Sequence, residues 1–189
     1  DLDEDEVDDR QLLEWSLPSG YVALGIQGYF ERGADLIYVT AAKPDLQAET
    51  GFEDAKLFIL GVNDALGEAQ LIRALELPGG IARGVVIENN QAVVSLGDAG
   101  IGLVDTYIPS KAYLMESKSL SGDLPALALT RTESLHNGEP VYAVAAGEWA
   151  YPSQTLTSNE QAGAGGFHLI SRDEKGLIEI ANLDLPASD

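Results

Sequence analysis

LIRALELPGG, residues 71–80, decides the fold, because alone it reads one way and beside its relatives another. With the residues before it, from Asp64, it is rich in strong helix formers. Asp64 stands where an N-cap would, and Leu66, Ala69, Ile72 and Leu75 recur at helical spacing. Three sister segments share its ending: LLEWSLPSG (12–20), YLMESKSLSG (113–122) and LIEIANLDLP (177–186). Each closes on Leu followed by Pro or Ser, and the sisters have no helical pattern. Repeats share a backbone, so the reading for 71–80 is a strand.

Working outward, the segments that come after these endings also repeat. YVALGIQGYFERGADLIYVTAA (21–42), GIARGVVIENNQAVVSLG (80–97) and LPALALTRTESLHNGEPVYAVAAG (124–147) each give strand, polar turn, strand. A third strand comes next in AKLFILGV (55–62), GIGLVDTYIP (100–109) and GGFHLISRDE (165–174). The runs are short, rich in Val, Ile, Leu and Tyr, and bounded by Gly, Pro, Asn or Asp, which is the signature of strands. Glu88-Asn89-Asn90 reads as a tight hairpin turn with Glu88 and Asn89 exposed, and Val85, Val93 and Leu103 as core. The middle unit should place strands near 84–88, 91–96, 101–106 and 113–119.

The unit is therefore four short strands, used about three times. The fold class expected is all-β, built of β-propeller blades: four-stranded antiparallel sheets that stack on neighbours to bury both faces. The blades run over about 21–78, 79–122 and 123–186, within a propeller segment of 11–189. Residues 11–20 read as a spare outer strand belonging to a preceding blade. Closed propellers have about 4–8 blades, so three imply either a piece of a larger ring or two copies closing one together. A three-blade arc leaves two flat end faces. A neighbouring propeller chain or a second copy should cover them, through residues 12–20 at one end and 165–185 at the other.

The stretch GGIARGVVIENNQAVVSLGDAGIGLVDTYIPSKAYLMESKSLSG (79–122) resembles an LVIVD repeat of bacterial and archaeal surface proteins. The likeness lies in Ala82-Arg83-Gly84-Val85, Asn89, Ala92-Val93-Val94, the run Asp98 to Asp105, Ile108-Pro109 and Leu120-Ser121-Gly122. The flanking units share only the strand pattern and the closing Leu. The resemblance implies a propeller on the cell surface. It implies no reaction, since the family has no shared catalytic motif, and no catalytic residue is assigned.

The charge balance narrows the partners. Eleven Lys and Arg face 31 Asp and Glu, for a net charge of −20. Such a chain repels phosphate backbones and anionic bilayers, so neither nucleic acid nor membrane insertion is expected. No run approaches the roughly 18 apolar residues of a membrane-spanning helix. The chain has no cysteine, which removes disulfides and thiolate metal sites. It begins at Asp1 with no leader-like stretch, and reads as a processed or excised chain of a secreted or cell-surface protein, extracellular or periplasmic.

Seven of the first nine residues are acidic, and 1–10 read as a solvated acidic linker. Asp1, Asp3, Asp5 and Asp9 alternate as in a calcium loop, but Glu6 and Leu12 occupy the places of its glycine and closing glutamate. Calcium is thus the one cofactor these acids would hold, and otherwise none is expected. Two long insertions, 41–55 and 147–166, fall between the second and third strands of their units and share one end of the blades. Phe52, Trp149 and Tyr151 are the candidate contacts there for a protein or carbohydrate ligand. The plainer alternative is that they pin their own loops. A binding or scaffold module is the leading reading, and a metal-dependent hydrolase using Asp98, Asp105 and Asp173 is the alternative. The two histidines, His136 and His168, have no zinc spacing.

Overall fold

The computed structural model describes residues 15–31, 34–48, 51–63, 68–123, 125–147 and 165–185. The protein is all-β, with no α-helix among the described residues. Four strands form the first sheet: β1 (Val22–Glu31), β2 (Ala34–Pro44), β3 (Phe52–Asn63) and β4 (Glu68–Glu76). The second contains β5 (Gly84–Glu88), β6 (Gln91–Ser95), β7 (Ile101–Asp105) and β8 (Tyr113–Lys118). The third contains β9 (Ala126–His136), β10 (Glu139–Gly147), β11 (Gly165–Asp173) and β12 (Gly176–Leu185). Each is an up-and-down antiparallel meander in chain order, and the sheets are blade-like.

The helical spacing of 64–77 is resolved by a bulge. Ile72 is skipped in the pairing of β3 with β4, since Ile59 faces Arg73 and Leu60 faces Leu71. The skip shifts the phase, so Leu75 joins the cluster on one face of the sheet and Ala69 the cluster on the other. The same skip falls on Met115 in β8 and Ile180 in β12. Each bulged residue lies five positions before a closing leucine: Leu77, Leu120 and Leu185. The outer strands are thus one repeated device, bulge included.

The sheets stack in chain order. One cluster joins Tyr38, Leu57 and Ile59 of the first sheet to Val85, Val94 and Val104 of the second. Another joins Val93, Ile101 and Leu103 of the second to Tyr142, Val144 and Ile170 of the third. The middle sheet is therefore buried on both faces, and burying each large aliphatic side chain contributes about 1.5–3 kcal/mol. Val85, Val93 and Leu103 are all buried, as expected. We call the side of a sheet that meets the next one its front, and the other its back.

Glycine sets the spacing of the innermost strands. Gly25 in β1 pairs with Thr40, and Gly84 in β5 pairs with Ser95. A Cβ on Gly25 would lie 2.6 Å from the Arg83 carbonyl oxygen, and one on Gly84 would lie 3.3 Å from Leu129 Cβ. The next sheet's inner strand passes where a side chain would be.

The back of the first sheet carries Val39, Ala41, Phe58 and Leu60, with Trp15, Leu17 and Tyr21 packed against them. Trp15 and Tyr21 meet the Phe58 ring at 5.6 and 5.5 Å. Residues 15–18 are not a strand, which corrects the expected spare outer strand over that part; Leu12 and Leu13 lie outside the described residues. Leu17 nevertheless takes the closing-leucine role, as Leu77 and Leu120 do in the two inter-sheet clusters.

Candidate functional site

A cavity of about 320 Å³ opens where the second and third sheets meet, at the end of the sheets that carries the β5–β6 and β11–β12 turns. Three connections converge on it. The β5–β6 turn brings Glu88, Asn89 and Gln91, the start of β10 brings Glu139 and Tyr142, and the β11–β12 hairpin brings Arg172 and Leu177. Val93 and Leu103 of the middle sheet form an apolar floor. The turn is tight because Asn89 and Asn90 both adopt positive φ, at 50° and 62°, which asparagine tolerates better than most residues.

Glu88 is the anchor of this site and is not the exposed turn residue expected. Its side chain is only 27 % exposed, because Arg131 crosses from β9 to hold it. Arg131 Nε donates to Glu88 Oε2 at 2.8 Å and Nη2 to Oε1 at 3.3 Å. Asn89 is exposed as expected. The Tyr142 hydroxyl donates to Glu88 Oε2 at 3.5 Å. Burial, with the Glu88 charge beside it, pushes the Tyr142 pKa up to about 12, so it remains a hydroxyl. Arg172 Nη1 donates to the Gln91 amide oxygen. Glu116 braces the hairpin from behind, accepting the Leu177 backbone N–H at 3.0 Å. The cavity thus offers guanidinium, amide, hydroxyl and carboxylate groups of both signs around an apolar base.

A second polar cluster lies at the other end of the same interface. Glu179 on β12 accepts the Ser121 backbone N–H at 3.0 Å and its hydroxyl at 2.5 Å. Its Oε1 also meets His168 Nδ1 at 3.0 Å, and Asn182 Nδ2 donates to Ser121 Oγ at 2.5 Å. His168 is fully buried in β11, and its Nε2 has no hydrogen-bond partner among the described residues. Glutamate separates serine from histidine here, so this is not the order of a nucleophilic triad. It fastens the connector leaving the second sheet to the third.

Of the residues singled out by sequence, Phe52 is half-buried against the core between the first and second sheets, with Arg83 5.8 Å above its ring. The 41–55 insertion is largely a β-ribbon, pairing Lys43 with Glu53 and Pro44 with Phe52. Beneath it, Lys43 Nζ lies 2.6 Å and Lys56 Nζ 3.5 Å from the Asp54 carboxylate, which also accepts the Tyr21 hydroxyl. The Lys43 and Tyr21 hydrogen bonds hold Asp54 down at a pKa of about 2. Trp149, Tyr151 and the acids Asp1, Asp3, Asp5 and Asp9 lie outside the described residues. Asp105 Oδ1 accepts the Tyr107 N–H at 2.8 Å and Asp173 Oδ1 the Lys175 N–H at 2.7 Å, so each caps its own turn; Asp98 is exposed in the β6–β7 connection. Among the described residues no three His, Asp or Glu side chains group to hold a metal. No helix among them is long and apolar enough to cross a membrane.

The cavity was missed from sequence because its residues come from separate hairpins with no fixed spacing. Glu88 and Arg131 are 43 residues apart. A charged residue at a hairpin turn, in a repeat whose neighbour supplies an arginine, was the only available signal. The sequence matches no protein-family model, and no curated protein is significantly similar to it.

Proposed function

We propose that this chain is a non-catalytic binding module, part of a secreted or cell-surface β-propeller of the LVIVD-repeat kind, and that it binds a neutral polyhydroxylated ligand, a saccharide unit. The observation that carries this reading is the cavity between the second and third sheets. Amide, guanidinium and carboxylate groups there face an apolar floor of Val93 and Leu103. Planar polar groups suit vicinal hydroxyls, and an apolar base suits the C–H face of a sugar ring. Charges of both signs favour a neutral ligand over an ion. The blade-like sheets and the strongly acidic composition support an exported propeller by analogy of fold. In this reading a neighbouring propeller chain or a second copy covers the end faces.

Titration of the isotope-labelled protein with D-mannose, D-galactose and N-acetyl-D-glucosamine tests it. Saturable amide shifts at Gln91, Tyr142 and Arg172, lost in Arg172→Met, are expected. No shift at these positions with any of the three sugars would sink the reading.

A further inference from the structure

Met115 carries the only sulfur of the chain, which has one methionine and no cysteine. It lies on β8 and is 46 % exposed. It is also the bulged residue of that strand, skipped where Leu103 pairs with Glu116 and Val104 with Leu114. Ile72 and Ile180 hold the same place in β4 and β12. The bulge is therefore satisfied by an apolar side chain and has no need of sulfur. The thioether stands in the sheet whose Val93 and Leu103 floor the cavity.

Met115 is joined to the cavity through Gln91. Gln91 Nε2 donates to Met115 Sδ at 3.9 Å, and Gln91 Oε1 accepts from Arg172 Nη1. A guanidinium has donors only, so it fixes which end of the amide faces it and turns the NH₂ to the sulfur. Gln91 and Arg172 both line the cavity. A thioether is a weak acceptor, so the Gln91 N–H that rests on it passes to a ligand oxygen at little cost.

We infer that Met115 is an oxidation site that regulates the cavity, with a peroxide as the reactant. A sulfur lone pair attacks one oxygen of hydrogen peroxide. The S–O bond forms as the O–O bond breaks, and the departing hydroxide takes the proton left on the transferred oxygen. Sulfur is oxidised to the sulfoxide and the peroxide is reduced to water. The side chain, apolar before, now ends in a polar S=O group. That oxygen holds the Gln91 N–H and withdraws it from the ligand, so the oxidised cavity binds more weakly. The effect on binding rests on the saccharide reading of the cavity; the oxidation and its effect on Gln91 do not.

The test treats the full chain with dilute hydrogen peroxide and follows it by peptide mass spectrometry and by the Gln91 side-chain amide resonances. The expected result is one added oxygen atom at Met115, unchanged circular dichroism and displaced Gln91 NH₂ signals. Met115→Ile, which carries the residue of the sister bulges, should show no displacement in peroxide. D-mannose, D-galactose and N-acetyl-D-glucosamine are then titrated into the reduced and oxidised chains. Oxidation should weaken the binding of whichever sugar the reduced chain takes by about three- to tenfold, the worth of one hydrogen bond. The Met115→Ile variant should bind equally before and after peroxide. A Met115 that resists oxidation, or oxidised Met115 with the Gln91 signals in place, would overturn the inference whatever the sugars do. Equal sugar affinity of the two forms would overturn it too and leave the saccharide reading standing. If the reduced chain takes none of the sugars, the saccharide reading falls, and the Gln91 signals alone decide whether Met115 is coupled to the cavity.

Discussion

Arg131 reaches across the interface between the second and third sheets and donates two hydrogen bonds to Glu88, at 2.8 and 3.3 Å. Both side chains retain about a quarter of their exposure, 29 and 27 %, so the pair is screened on one side and confined on the other. A fully exposed pair contributes about 0–1 kcal/mol and a hydrogen bond to a charged group about 1.5–3 kcal/mol. A double-mutant cycle with Glu88→Gln and Arg131→Met should therefore give a coupling near ~1 kcal/mol by urea denaturation. Coupling of zero would mean that the pair does not lock these sheets together.

Gly25 and Gly84 should respond unequally to alanine. At Gly25 the added methyl meets backbone, the Arg83 carbonyl at 2.6 Å, as well as Thr40 Oγ1 at 2.7 Å. Backbone cannot swing aside, so Gly25→Ala should cost about 2–3 kcal/mol as overpacking. At Gly84 the nearest contacts are at 3.3 Å, and a shift of a few tenths of an ångström relieves them. Gly84→Ala should cost less than half as much. Equal melting temperatures for the two variants would contradict this account of sheet spacing.

The second sheet was legible in sequence because both its faces are core and its turn chemistry is explicit. Strands at 84–88, 91–95, 101–105 and 113–118 fall within a residue of the expected positions. β4 was legible only through its sisters. Its own three-residue spacing mimics a helix because the Ile72 bulge breaks the two-residue period of a strand. The cavity could not be read. A turn residue such as Glu88 looks solvated until a partner from another sheet is placed above it, and that placement depends on stacking, not on local pattern. The same limit applies to Phe52, whose loop becomes a ribbon that lays its ring under Arg83.

Removing metal should leave the fold intact. The described core is held by apolar stacking and the polar contacts above, and no three potential ligands group among the described residues. The melting transition should be the same in EDTA as in excess calcium. A marked loss in EDTA would show that Asp1, Asp3, Asp5 and Asp9 hold calcium and that this holding is coupled to folding, since a ligand that binds only the folded state raises its stability.

Glu179 should make the third sheet acid-sensitive. Burial works to raise its pKa, but the hydrogen bonds from Ser121 and His168 outweigh it, and the value lies below the ordinary 4.5. A carboxylate with a depressed folded-state pKa contributes stability that is fully present above its unfolded value. That stability is lost as pH falls through the folded one. Stability should thus decline below pH 4.5, as Glu179 takes up a proton and Ser121 and His168 lose their acceptor. Glu179→Gln removes the titrating group and weakens three hydrogen bonds. At neutral pH it should cost about 1.5–3 kcal/mol, the range for hydrogen bonds to a charged group. Below pH 4.5 the difference between the two proteins should narrow, because the wild type then also lacks the charge. Urea midpoints measured from neutral pH down into that window decide the matter. Parallel curves would mean that Glu179 is not the group whose protonation loosens the connector at Ser121.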